Sequence, residues 1–210
     1  MKTKIKICGV TTRDALQAAQ DAGADFVGFV FFEKSPRNID PAAAGVLAKS
    51  ARLETVGLFV DPADDLLTRV LAHAPLRMIQ LHGDETPARV AAIRSLTRLP
   101  VMKAVRVATR DDVTAAHAYA PVADWLLFDA RVEGSHLPGG TGRNFDWDIL
   151  KNYTSPRPWM LAGGLNPDNV GNALKLLTPD AVDVSSGVES APGVKDASKI
   201  AAFVDSVRHA

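Results

Sequence analysis

The chain contains one cysteine, Cys8, in 210 residues. An internal disulfide is excluded, and with it a disulfide-stapled secreted scaffold. Neither sign of charge is in excess, since Lys+Arg and Asp+Glu stand at 24 each. No basic field is available to hold a nucleic-acid backbone or an anionic membrane, so any phosphate binding must be local. The first residues lack a long apolar run, and neither secretion nor membrane insertion is indicated. The expectation is a soluble, cytoplasmic protein in a reducing compartment. Linker-like and low-complexity stretches are missing too. With 47% hydrophobic residues the chain can bury a sizeable core, and residues 1–210 are expected to form one domain.

What is present is an alternation of strand-like and helix-like segments. Eight strand candidates run Lys4 to Gly9, Asp25 to Phe32, Glu54 to Asp61, Met78 to Gly83, Val101 to Val107, Asp124 to Ala130, Pro158 to Gly164 and Ala181 to Val188. Each is followed by a helix candidate, at the spacing of repeated βα units. Eight such units in a chain of this length predict an α/β fold, a single (β/α)8 barrel of the TIM type. The competitor is a doubly wound open sheet. Its glycine fingerprint is missing, because Cys8-Gly9-Val10-Thr11-Thr12-Arg13 holds one glycine.

Local signals mark the helix ends. Thr11 or Thr12 is expected to cap the first helix, which ends at Gly23. Four pairs of a capping residue followed by proline predict further helix starts: Asp40-Pro41, Asp61-Pro62, Thr86-Pro87 and Asn166-Pro167. The last helix is expected from about Lys195 to Arg208, with Ile200, Phe203, Val204 and Val207 at helical spacing.

In a barrel the carboxyl ends of the strands gather in one mouth, and alternate residues point inward. Ile5 and Ile7 then lie on one face of the first strand, with Lys4, Lys6 and Cys8 on the other. The mouth candidates are Cys8, Gln80, His82, Asp129, Asp183 and Ser185. A thiol and a carboxyl on nearly opposite strands could flank a small substrate, one taking a proton and the other giving one. The plain alternative for Cys8 is a small buried hydrophobe. Asp129 follows Trp125-Leu126-Leu127-Phe128, and a carboxyl at the end of so apolar a strand needs a cap, a partner or a task.

Two loops carry phosphate signals. Leu161-Ala162-Gly163-Gly164-Leu165-Asn166-Pro167 presents unobstructed backbone N–H groups ahead of a helix, and Val184-Ser185-Ser186-Gly187-Val188-Glu189 is a second small-residue loop. Loops after strands seven and eight form the recurrent phosphate site of such barrels. The phosphate candidates are accordingly Gly163, Gly164, Ser185, Ser186 and Gly187. The polar connection Arg131 to Trp147 is a candidate lid, and its Gly142 counts among the mouth candidates. Arg37 could clamp a carboxylate with its fork of donors, or simply be solvated. His82-Gly83-Asp84-Glu85 lacks metal-ligand spacing and no His/Cys cluster completes a site, so no metal is expected. Lys103 could form a Schiff base if buried, or pair with a carboxylate.

Taken together, Lys6-Ile7-Cys8-Gly9, Gly28-Phe29-Val30-Phe31 with Ser35-Pro36-Arg37, Val56-Gly57-Leu58-Phe59-Val60-Asp61, Gln80-Leu81-His82-Gly83-Asp84-Glu85, Gly139-Gly140-Thr141-Gly142, Leu161-Ala162-Gly163-Gly164-Leu165 and Asp183-Val184-Ser185-Ser186-Gly187-Val188-Glu189 resemble phosphoribosylanthranilate isomerases of tryptophan biosynthesis, from end to end. The resemblance implies a cofactor-independent aldose–ketose isomerase acting on a phosphorylated small molecule by an Amadori rearrangement. It implies Asp129 as general acid, Cys8 as general base and Arg37 as holder of the anthranilate carboxylate. Gly164, Ser186 and Gly187 would cradle the phosphate. Acid and base then need opposite protonation at one pH, and Lys6, on the strand face of Cys8, could favour the thiolate. The rival readings are a related phosphosugar isomerase, a lyase working through Lys103, and a non-catalytic phosphosugar-binding subunit. Oligomeric state is open, with a monomer preferred over a homodimer.

Overall fold

The computed structural model describes residues 2–129 and 147–210. Eight parallel strands close into a barrel in chain order: β1 (Lys4–Cys8), β2 (Phe26–Phe31), β3 (Glu54–Phe59), β4 (Met78–Leu81), β5 (Val101–Arg106), β6 (Trp125–Asp129), β7 (Trp159–Ala162) and β8 (Ala181–Val184). All eight lie inside the expected segments. The helices are α1 (Arg13–Ala22), α2 (Pro41–Ser50), α3 (Asp64–His73), α4 (Pro87–Thr97), α5 (Arg110–Ala115), α6 (Val170–Leu176) and α7 (Ala197–Arg208). Between β6 and β7 the described residues hold a single 3-10 turn, Trp147–Leu150, rather than an α-helix. After β8 come a 3-10 turn, Ser186–Val188, and a two-stranded hairpin, β9 (Glu189–Ala191) with β10 (Val194–Lys195). None of the described helices is long and apolar enough to cross a membrane.

Strand alternation sorts the core into two layers. Phe26, Val56, Met78, Met102, Ala104, Leu127, Met160, Ala162 and Ala181 fill the barrel interior. Ile5, Ile7, Val27, Phe29, Ile79, Leu161 and Val182 face outward, into the layer shared with the helices. That layer includes Ile200, Phe203, Val204 and Val207 of α7, all buried as their spacing predicts. Closure joins β1 to β8 with Lys6 opposite Asp183.

Helix boundaries follow the caps where the capping side chain is free for local use. Thr12 accepts from the Ala15 N–H, Gly23 ends α1 at φ 82°, Asp40 accepts from Ala42 and Ala43, and Thr86 accepts from Arg89. Two of the expected starts are wrong. The Asp61 carboxylate instead accepts from the Asp84 N–H at 2.8 Å, and α3 begins at Asp64 after an uncapped Ala63. Asn166 accepts from the N–H groups of Asp168 and Asn169, so its amide closes a turn and α6 starts only at Val170. The last helix also starts later than expected: Asp196 caps it, and Lys195 belongs to β10.

Lys103 is not in the mouth. Met102 and Ala104 point inward, so Lys103 points out, donating at 2.8 Å to Glu85 and at 2.7 Å to the Gly83 carbonyl. Glu85 also accepts from the N–H groups of Asp61 and Gly83. These bonds fix the loop that follows β4 and carries His82. Glu85→Ala removes the partner of a lysine whose side chain is 3% exposed. It is expected to lower the free energy of unfolding by about 3 to 5 kcal/mol. Urea unfolding checks this, and a loss under about 1 kcal/mol would contradict the assignment.

Candidate active site

Cys8, at the end of β1, is buried, and its side chain lies inside the barrel with Val30 and Leu58. A Cβ on Gly28 would come 3.0 Å from Cys8 Sγ and 3.3 Å from Lys6 Cε. The two side chains therefore share the space that any side chain at position 28 would fill, which is why β2 carries glycine there. Lys6 is fully buried and donates to Asp183 Oδ1 at 2.9 Å. Burial opposes the charge on Lys6, but Asp183 and Cys8 outweigh it and hold the ammonium above its ordinary range. For Cys8 the balance goes the other way. Burial pushes the thiol up, Lys6 pulls it down, Asp183 pushes it up again and Lys195 pulls it down, with a net rise. The free protein thus holds a protonated thiol beside two cations.

Across the mouth, Asp129 ends β6. Its Oδ2 lies 3.0 Å from His82 Nε2, and His82 Nδ1 lies 3.3 Å from Gln80 Nε2. Gln80, His82 and Asp129 form one hydrogen-bonded line.

A third group of charges lies where β2 and β8 give way to their loops. Arg37 lies across Gly9, whose φ of 79° and closeness to Arg37 Cδ both demand glycine. Arg37 donates to Glu189 through Nε and Nη2, each at 2.7 Å. Lys195, from β10, reaches Glu189 Oε1 at 2.7 Å and the Ser185 carbonyl at 3.0 Å. Burial opposes the Glu189 charge, but Arg37 and Lys195 prevail and lower its pKa; burial likewise lowers that of Lys195 despite Glu189. Ser185 donates through Oγ to the Cys8 carbonyl at 3.1 Å, so its hydroxyl ties β8 to β1.

Gly163 and Gly164 both take positive φ, 89° and 68°. Gly187 packs directly on the Leu165 carbonyl, a contact that no side chain would allow, and this brings the loops after β7 and β8 side by side. Of the expected residues, Cys8, Gln80, His82, Asp129, Asp183 and Ser185 converge on the mouth, and the small-residue loops meet at its rim. Gly142 and the candidate lid, apart from its last residue Trp147, lie outside the described residues. Glu189 and Lys195 went unassigned in the sequence, Lys195 being read as helix. The available signal was the Pro192-Gly193 turn between two charged, strand-like pairs. No group of three or more potential metal ligands occurs among the described residues.

A closed (β/α)8 barrel with titratable groups converging at the carboxyl ends of its strands defines the class, a barrel enzyme. The family model of N-(5′-phosphoribosyl)anthranilate (PRA) isomerase matches residues 5–206. The N-(5′-phosphoribosyl)anthranilate isomerase of Paracoccus denitrificans is 54% identical over 207 residues, which are 97% of this chain and 96% of the relative. The crystal structure of the phosphoribosylanthranilate isomerase of Thermotoga maritima superposes with a TM-score of 0.90 at 36% identity, covering 99% of this chain and 100% of that one. A further crystal structure of such an isomerase, in complex with reduced 1-(o-carboxyphenylamino)-1-deoxyribulose 5-phosphate, gives 0.86 at 34% identity, covering 99% and 100% of the two chains. The chain belongs to the phosphoribosylanthranilate isomerase family, isomerases of tryptophan biosynthesis.

Because Cys8 is the only thiol, alkylation reports on it alone. Iodoacetamide is expected to react slowly with the free protein at neutral pH, with a rate still climbing above pH 9.0, the ordinary thiol value. A plateau reached below that pH would show a stabilised thiolate and contradict the balance of charges described above.

Proposed function

We propose that this mouth converts N-(5′-phosphoribosyl)anthranilate to 1-(2-carboxyphenylamino)-1-deoxyribulose 5-phosphate, with Asp129 as general acid and Cys8 as general base. Asp129 gives a proton to the furanose ring oxygen, the C1′–O bond breaks, and the ring opens to an iminium. The cationic nitrogen acidifies C2′–H, and Cys8, having released its thiol proton to solvent, takes that proton as the thiolate. The enolamine takes a proton at C1′ while its 2′-hydroxyl gives one up to solvent, and the ketone forms. Carbon C1′ is reduced as C2′ is oxidised within one molecule, so no redox cofactor enters the balance.

The observation that carries this reading is a lone thiol among cations on one side of the mouth and a histidine-bound carboxyl on the other. Burial holds the free thiol protonated, but the iminium adds a third positive charge to those of Lys6 and Lys195, all favouring the thiolate. Glu189 takes the Nε/Nη2 edge of Arg37, and a guanidinium keeps a second edge for a substrate carboxylate. The N–H groups around Gly163, Gly164, Ser186 and Gly187 suit a phosphate, with the Ser185 backbone alongside.

Phosphoribosylanthranilate made enzymatically is fluorescent, and its decay is expected to accelerate when this protein is added. No loss beyond spontaneous hydrolysis would overturn the reading. Cys8→Ala and Asp129→Ala are each expected to lower turnover at least about a hundredfold with the fold retained, the usual scale of acid–base catalysis. Near-normal turnover in either would remove that residue from its role.

A further inference from the structure

Gln80 is fully buried on β4, yet its Oε1 has no hydrogen-bond partner. A buried, unpaired amide oxygen costs stability, so an apolar side chain of equal size would hold the barrel together at least as well. The one bond that Gln80 does make is through Nε2 to His82 Nδ1, at 3.3 Å. With the amide turned this way its N–H donates, so Nδ1 accepts and the ring proton sits on Nε2. That N–H points at Asp129 Oδ2, at 3.0 Å.

We propose that Gln80 and His82 are positioning residues for the acid. Gln80 fixes the Nε2–H tautomer of His82, and His82 holds Oδ2 of Asp129 as an acceptor, which assigns the transferable proton to the other oxygen, Oδ1. A protonated carboxyl and a carboxylate both accept at Oδ2, so the line persists before and after the proton leaves. A tautomer with its proton on Nδ1 would present a bare Nε2 to Asp129. That nitrogen would draw the acid proton onto Oδ2, away from substrate. Among the described residues, the titratable groups that the strands flanking or facing Asp129 turn toward the barrel interior are Arg106 of β5, which pairs with Asp84 at 3.3 Å, Lys6 and Cys8 of β1, and Asp183 of β8, while Lys103 of β5 turns outward to Glu85. The neighbouring strand β7 contributes Ala162, which carries no charge. The inference rests on Asp129 being the general acid, but its first readout does not.

That readout is the His82 tautomer, seen in two-bond 1H–15N spectra of histidine-labelled protein and assigned by the loss of one signal set in His82→Asn. The wild type is expected to show a protonated Nε2 and a bare Nδ1. A proton on Nδ1 would mean that the Gln80 amide faces the other way and would overturn the proposal. Gln80→Glu, whose carboxylate can only accept, is expected to move the ring proton to Nδ1 and lower kcat about tenfold or more. Gln80→Met is expected to keep the melting temperature while losing about tenfold in kcat with little change in KM. Unchanged kcat in both variants would overturn the positioning role. If the tautomer is as expected but Asp129→Asn still turns over normally, the acid assignment fails and the hydrogen-bonded line stands.

Discussion

The ion pair between Lys6 and Asp183 is the interaction on which the barrel and its chemistry both depend. Its partners lie 177 residues apart, on the first and last strands, and meet where the sheet closes. Two charges this deeply buried are tolerated only as a pair, because either alone would be left in an apolar interior. The pair therefore favours one register of closure, and that register sets Cys8 beside a permanent cation. Gly28 leaves room for both side chains, and a methyl group there would crowd them both.

The same logic recurs around the mouth. Each functional group is held by a neighbour that itself has few alternatives. Arg37 is oriented by Glu189, Glu189 by Lys195 and by the N–H of Gly193, and Lys195 by the backbone of Ser185. Ser185 returns to the carbonyl of Cys8. On the far side, Gln80 orients His82 and His82 orients Asp129, while Glu85 and Lys103 secure the loop from outside the barrel. Two preorganised arms, one cationic and one ending in a carboxyl, face each other across a common space, as an acid–base isomerisation requires.

The barrel was legible in the sequence because its signals are local: a two-residue alternation in the strands, a cap and proline ahead of α2 and α4, and a glycine behind α1. Asp61 and Asn166 carry the same local signature and serve other ends. Asp61 binds the Asp84 N–H, 23 residues away, and Asn166 closes a turn that shapes the loop after β7. No local pattern distinguishes a carboxylate that caps its own helix from one borrowed by a neighbouring loop. The mouth residues were legible for the same reason as the strands, since Cys8, Gln80, His82, Asp129 and Asp183 follow from alternation. Their partners were not. The pairing of Lys6 with Asp183, of Arg37 with Glu189 and of Lys103 with Glu85 joins separate strands and loops, and only the closed barrel specifies it.

The charge of Lys6 acts on Cys8 across the inner face of β1. Thiolate absorbance of the only cysteine, followed against pH in the wild type and in Lys6→Gln, measures it directly. A midpoint above 9.0 in the free wild-type protein and a higher one in Lys6→Gln are predicted. An unchanged or lowered midpoint in a folded Lys6→Gln would contradict it.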